Sequence, residues 1–313
     1  MKYLFDHLKA YIKSDFNLRL YIATLIWVAF LLAFNFYYDF EDSYIDSFYG
    51  SNLRIVLMFL IQSISYYVVC WFVFLFTDNK KFFKNPKFWI VSAIGFAILA
   101  WNRGNSYSDS IVQLFTTNDS THLFILKSIY RLLPIFTIIL PLGLFYGFYQ
   151  RKDVNHFYGL TSKNVNLKPY LVMLLIMAPI IAAASFHPSF TQQYPNFRTA
   201  GIDQFCSHYN LNQGVVTLLY EISYALSFFT VELFFRGFLI FGLVRFLGSA
   251  VVLPMAVTYC VLHFGKPFGE AVSSLFGGYI LGVIALKTEN IYGGVIVHIG
   301  IAWLMELFAY LQL

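Results

Sequence analysis

The sequence predicts an all-α, polytopic integral membrane protein, a bundle of eight or nine transmembrane helices. The first observation is composition: 59% of the 313 residues are hydrophobic and only 12% are charged. An ordinary soluble domain carries about half apolar and about a quarter charged residues. The second observation is the length of the apolar runs, because a helix needs about 20 mostly apolar residues to cross a bilayer. Most of the chain is therefore expected to lie in the membrane.

Nine segments fit the template of a membrane-spanning helix. In chain order they lie near residues 18–38, 53–76, 88–101, 130–149, 169–186, 215–243, 249–264, 270–286 and 291–311. The fourth follows Lys127 and Arg131, whose long stems are expected to reach the membrane interface. Composition shifts at about residue 160: the spans before it are simple, whereas those after it have polar groups inside them and include glycine-rich helices. The sequence thus predicts an N-terminal region of four spans, 1–160, and a second region, 161–313.

Basic residues indicate which side of the membrane each loop faces. With the N-terminus inside, the inside loops carry most of the Lys and Arg, including four lysines within 80–87, whereas the outside loop at 39–46 is acidic. The positive-inside rule therefore predicts a cytoplasmic N-terminus and, with an odd number of spans, a C-terminus outside. The net charge of +5 follows from this topology, so we expect membrane lipids and not nucleic acid as partners.

Three short polar motifs interrupt the apolar spans of the second region. They contribute Glu232 with Arg236, then His263, then His298. A charged group at bilayer depth costs a few kcal/mol on insertion scales, so it usually faces a cavity or a partner. Four such groups on three spans predict a common site.

Spacing within the first motif predicts an ion pair. Glu232 and Arg236 are four residues apart, so they share one face of a helix and can pair. A purely structural pair that pins the helix explains this spacing as well as a catalytic role does. Glu221 lies eleven residues earlier, close to three turns, and so falls on the same stripe as Glu232.

The two histidines admit two kinds of chemistry. His263 ends an apolar helix just before a Gly265–Pro267 breaker, and His298 lies about two turns into the last span. Two histidines and a carboxylate on separate helices can activate a water molecule by general acid–base catalysis. They can equally form a zinc site with two His ligands and one carboxylate. Spacing does not separate these alternatives.

Four further polar residues are candidates for lining the same cavity. Glu270 follows Pro267 at the start of a helix, where an acidic residue commonly stabilises the N-terminus. Glu306 lies eight residues after His298, roughly 80° around the helix. The other two candidates are Glu221 and Tyr259.

In their order and position, the three motifs resemble the CAAX protease and bacteriocin-processing (CPBP) family of intramembrane endopeptidases. That family carries E-E-x-x-x-R, then F-x-x-x-H, then H-x-x-x-N or H-x-x-x-D. Here ELFFRGF at 232–238 and HFGKPFGE at 263–270 carry the resemblance, which covers about 215–311. Two positions differ: Val231 stands at the family's first glutamate and Ala302 at its final Asn or Asp.

The resemblance implies a role for each matching residue in peptide hydrolysis. Glu232 would be the base or a water ligand, His263 its partner, His298 the oxyanion donor, and Arg236 would hold Glu232. It also implies neither metal nor cofactor, a location in a bacterial cytoplasmic membrane, and a peptide or membrane-protein substrate. The alternative is a catalytically impaired member that acts as a binding, immunity or assembly factor. A transporter is less well supported, because no inverted repeat is evident.

Overall fold

The computed structural model describes residues 2–115, 119–161 and 165–313. Helices account for 83% of it, and no β-strand occurs in those ranges. The predicted all-α class is therefore confirmed.

The α-helices are numbered in chain order. They are α1 (Lys2–Asp15), α2 (Leu18–Tyr38), α3 (Asn52–Phe76), α4 (Pro86–Gly104), α5 (Tyr107–Phe115), α6 (Asp119–Pro134), α7 (Leu140–Phe145), α8 (Lys168–Ala184), α9 (Pro188–Gln193), α10 (Ile202–Tyr209), α11 (Gln213–Glu232), α12 (Val244–Leu247), α13 (Val252–Val261), α14 (Phe268–Thr288) and α15 (Tyr292–Tyr310). The π-helical segments are Phe40–Ile45, Ile135–Ile139, Tyr146–Gln150 and Leu233–Phe241. Short 3-10 helices occupy Asp46–Phe48, Lys81–Lys84, Asn196–Thr199 and Gly248–Val251.

Within the described ranges, six helical stretches are long and apolar enough to cross a membrane. They are Leu18–Tyr38, Asn52–Phe76, Thr121–Gln150, Gln213–Val261, Phe268–Thr288 and Tyr292–Tyr310. An apolar helix of 17 residues, Lys168–Ala184, is shorter. These helices identify an integral membrane protein. The span count of eight or nine is not confirmed, and the orientation of both termini remains a prediction.

Local capping determines where several spans begin and end. The Asn17 side chain accepts a hydrogen bond from the backbone N–H of Leu20 at the start of α2 (3.1 Å), which satisfies one of the donors left open at a helix N-terminus. The same helix ends at Asp39, whose left-handed backbone (φ 49°) closes the last turn. Asn85 caps α4 in the same way as Asn17 caps α2, directly before a proline at the first helical position.

Two compact units make up the described chain. The first contains 1–105, 140–165 and 232–293, and the second contains 106–139, 166–231 and 294–313. Each unit draws on sequence from both sides of residue 160, and a functional division at that residue remains a prediction.

Close packing between the N-terminal spans and the helices after Glu232 builds the first unit. Ser65 on α3 is within 3.4 Å of the Thr258 hydroxyl on α13. A Cβ atom on Gly95 of α4 would lie only 2.0 Å from the Phe238 ring, so the close approach of this helix requires glycine. The second unit has its own apolar cluster, which includes Ile202 and Tyr220, with Phe124 against it.

Candidate functional site

A fully buried ion pair forms at the junction of α11 and the π-helix Leu233–Phe241. Arg236 Nη1 lies 2.9 Å from Glu232 Oε1, and neither side chain is exposed. The four-residue spacing places both groups on one face, and pairing offsets part of the cost of removing two charges from water. The predicted pairing of Glu232 with Arg236 is thus present in the structure.

Tyr259 on α13 packs against the arginine of this ion pair. The Arg236 guanidinium carbon is 4.1 Å from the centre of the Tyr259 ring, a cation–π distance. The neighbouring Phe235 ring meets the same ring edge-on at 5.1 Å. Gly278 on α14 gives the tyrosine room, since a Cβ atom there would lie 2.9 Å from Tyr259 Cδ1.

His263 completes the connected set in the first unit. Its Nδ1 atom lies 2.8 Å from the Tyr259 carbonyl oxygen, and the two rings pack edge-to-face at 4.7 Å. A carbonyl oxygen only accepts hydrogen bonds, so Nδ1 carries the proton and Nε2 carries the lone pair of the neutral ring. Glu232, Arg236, Tyr259 and His263 therefore form one chain of contacts.

The end of α13 explains why the Tyr259 carbonyl is open to an imidazole. The His263 N–H bonds to the Cys260 carbonyl (3.0 Å), and the Phe264 N–H to the Val261 carbonyl (3.2 Å). The chain has thus tightened from i→i−4 to i→i−3 bonding, as helix termini often do. In a continuous α-helix, the Tyr259 carbonyl would accept a hydrogen bond from the backbone N–H of His263. Here it accepts one from the His263 side chain instead.

Glu270 lies in the first turn of α14, three residues after Pro267. Its N–H bonds to the Pro267 carbonyl at 2.8 Å. An acid in this position complements the positive end of the helix dipole. The position is that of a helix-opening residue.

The third motif belongs to the second unit. His298 lies on α15, and its ring packs on Phe228 with centroids 4.4 Å apart. One turn later, Ala302 is buried with 3% exposure. Its methyl group supplies no hydrogen-bond donor where the related family has an amide or an acid.

The two remaining acidic candidates meet in the second unit. Glu306 is buried, and its Oε1 atom accepts hydrogen bonds from the Asn196 backbone (2.9 Å) and side chain (2.8 Å). Glu221 is a near neighbour of Glu306 and also interacts electrostatically with Arg131. The Arg131 guanidinium carbon lies 3.9 Å from the centre of the Tyr224 ring.

Sequence reasoning missed three members of this cluster. It assigned Arg131 to the membrane interface and gave no role to Asn196 or Tyr224. Only Arg131 offered a signal, because a charged residue beside an apolar span commonly pairs inside the bundle. Asn196 begins the short 3-10 helix Asn196–Thr199, which is too short for an apolar period to indicate which way it points.

Among the described residues, no group of three or more His, Cys, Asp or Glu side chains is arranged to hold a metal ion. The absence of a metal from the working protein remains a prediction.

Comparison with known protein families identifies a match to the region that contains these motifs. Residues 213–304 match the family described as Rce1-like, type II CAAX prenyl endopeptidase Rce1-like. None of the curated proteins matches the chain, and none of the solved structures does.

The family match confirms the resemblance seen in the three motifs, all of which lie within the matched segment. With its apolar helices, the chain is an integral membrane protein that resembles CAAX-type intramembrane endopeptidases. Its embedding in the membrane follows from the length and apolar composition of these helices.

Proposed function

We propose that this protein hydrolyses a peptide bond in or beside the membrane, in a polypeptide segment of a membrane-associated substrate. The observation that carries the proposal is the anchored imidazole of His263. Its Nδ1 atom is held by the Tyr259 carbonyl at 2.8 Å, so Nε2 can accept a proton from water. A neutral histidine with a fixed tautomer is well suited to act as a general base near neutral pH.

In the proposed reaction, the oxygen of a water molecule attacks the peptide carbonyl carbon while its proton passes to His263 Nε2. Collapse of the tetrahedral intermediate breaks the C–N bond, and the same proton passes to the leaving amine.

Glu232 takes a positioning role in this proposal. Arg236 holds its carboxylate at 2.9 Å, and the residue before it, Val231, has no acidic group. The Arg236 guanidinium stacks on Tyr259, and the Tyr259 carbonyl in turn holds His263. The pair therefore supports the histidine and is not itself the proton acceptor.

A second function is favoured by two side chains. Val231 and Ala302 are aliphatic where the related family keeps an acid and an amide or acid. A protein lacking both groups can still bind a membrane peptide without cleaving it. It would then serve as a binding, immunity or assembly factor.

The test is a peptidase assay on purified protein with a library of quenched membrane peptides. Wild type is compared with His263→Ala, and with His187→Ala as a control at an exposed histidine. We expect cleavage by wild type and the His187 variant and none by the His263 variant. Cleavage that survives His263→Ala would contradict the proposed site.

The variant Val231→Glu distinguishes the two functions. It restores the first acid of the E-E-x-x-x-R pattern. If wild type binds a library peptide without cleaving it and Val231→Glu cleaves that peptide, the binding function is correct and the endopeptidase proposal is wrong.

A further inference from the structure

The backbone just after His263 is held by a residue from the opposite end of the sequence. Asn35 lies in the last turn of α2 and is only 3% exposed. Its Nδ2 atom donates to the carbonyl oxygen of Phe264 (3.3 Å), and its Oδ1 atom accepts from the backbone N–H of Glu41 (3.0 Å). One buried amide thus links the end of the first span, the helix after it and the loop after His263.

Glu41 connects this hydrogen-bonded segment to α4 through Arg103. Glu41 is 6% exposed, and its Oε1 atom accepts a hydrogen bond from Arg103 Nη2 at 3.1 Å. Burial raises the pKa of Glu41, Arg103 opposes that rise, and Asp42 and Asp46 add to it. Asn35 therefore rests on a segment that is itself anchored to a second helix.

The loop also fits closely against the acidic segment. A Cβ atom on Gly265 would lie 3.0 Å from Asp42 Oδ1 and 3.5 Å from Glu41 Oε2. The Phe36 ring, one residue after Asn35, meets the Phe264 ring at 6.4 Å. The loop is thus held by a hydrogen bond at one residue and by close packing at the next.

This loop controls the environment of the imidazole. The tight i→i−3 turn at 260–264 leaves the Tyr259 carbonyl for His263 Nδ1. If the turn relaxed to α-helical bonding, the backbone N–H of His263 would compete for that carbonyl. The ring would then lose the partner that determines its tautomer.

We propose that Asn35 is a positioning residue for His263: by holding the Phe264 carbonyl, it maintains the turn that directs the His263 Nδ1–H to Tyr259. The inference rests on the proposed role of His263 and assigns a function to the first span. The N-terminal spans then act as the support for the candidate base.

The test measures the His263 tautomer directly in protein labelled with ¹⁵N-histidine, at a pH where the ring is neutral. The His263→Gln variant assigns the resonance. We expect wild type to show protonated Nδ1 and unprotonated Nε2. Asn35→Asp removes the donor to Phe264 and keeps an acceptor for Glu41. It should shift the tautomer ratio by roughly fivefold, the factor that corresponds to one hydrogen bond of about 1 kcal/mol.

Asn17→Asp is the matched control. Asn17 lies at the other end of the same helix, and its Nδ2 atom also donates to a carbonyl, that of Phe76 (2.7 Å). This change should lower thermal stability without altering the His263 ratio. An equal shift in both variants would mean general loosening and would overturn the proposal.

Gly265→Ala should perturb the same turn, at its contact with Glu41 and Asp42. This variant tests the proposal if Asn35→Asp does not fold. Its control is Gly269→Ala, where a Cβ atom meets nothing within 4 Å. We expect the first to shift the tautomer ratio and the second to leave it unchanged. An unchanged ratio in Gly265→Ala and in any folded Asn35→Asp would refute the proposal. The readout uses no substrate, so failure of the endopeptidase proposal is recognised separately, by the absence of peptide cleavage.

Discussion

His263 Nδ1 lies 2.8 Å from the carbonyl oxygen of Tyr259, and the rings of the two residues pack edge-to-face. The tyrosine therefore contacts the histidine through its backbone and its ring. Its ring also lies 4.1 Å from the Arg236 guanidinium carbon, a cation–π distance. Tyr259 thus joins the first motif to the second.

Breaking the Glu232–Arg236 pair should destabilise the protein. Glu232→Gln removes the carboxylate charge and leaves Arg236 buried without a counter-ion. We expect the free energy of unfolding to fall by about 3–5 kcal/mol, measured by thermal or denaturant unfolding in detergent. The double variant Glu232→Leu with Arg236→Met should recover most of the loss, because no unpaired charge remains. A single variant as stable as wild type would show that the pair does not stabilise the fold.

Adding one methyl group at Gly278 should displace Tyr259. In Gly278→Ala the new Cβ atom would lie 2.9 Å from Tyr259 Cδ1. Overpacking of this kind costs about 1–3 kcal/mol, so we expect a lower unfolding temperature. The neighbouring Gly277→Ala is the control, since a Cβ atom there meets nothing within 4 Å. It should be neutral or stabilising, and equal destabilisation by both changes would argue against contact with Tyr259 as the cause.

The pH dependence of stability should carry a contribution from Glu41. Burial raises the pKa of Glu41 above its ordinary value of 4.5, so the folded protein retains this proton at pH values where the unfolded chain has lost it. The stability that protonated Glu41 contributes is fully present below pH 4.5, and it is lost as the pH rises through the raised pKa of the folded protein. Wild type should therefore lose stability relative to Glu41→Gln over that window. Parallel melting-temperature curves for the two proteins would contradict this.

Removing the Arg131 charge should weaken the second unit. Its guanidinium stacks on Tyr224 at 3.9 Å and is the cation that interacts with Glu221. A desolvated cation–π contact contributes about 2 kcal/mol, so Arg131→Gln should lower stability by at least that amount. Lys127→Gln provides the comparison, because the hydrogen bond from Lys127 to Thr199 is exposed. Equal effects of the two substitutions would place Arg131 outside any stabilising network.

The sequence alone determined the features that depend on local spacing. Apolar composition and run length predicted an all-helical membrane protein, and the four-residue interval predicted the pairing of Glu232 with Arg236. Three ordered motifs also predicted the family resemblance that residues 213–304 confirm. These features were readable because helical periodicity relates neighbouring residues to a common face.

Contacts between groups far apart in the chain depend on how the helices pack in three dimensions. Asn35 reaches the Phe264 carbonyl across 229 residues, and Glu306 receives Asn196 across 110. Helical periodicity relates only residues that are close in the chain. A single sequence therefore does not predict which residues of distant helices lie side by side. Their contacts arise when apolar packing brings the helices together and each buried polar group must find a partner among those nearby.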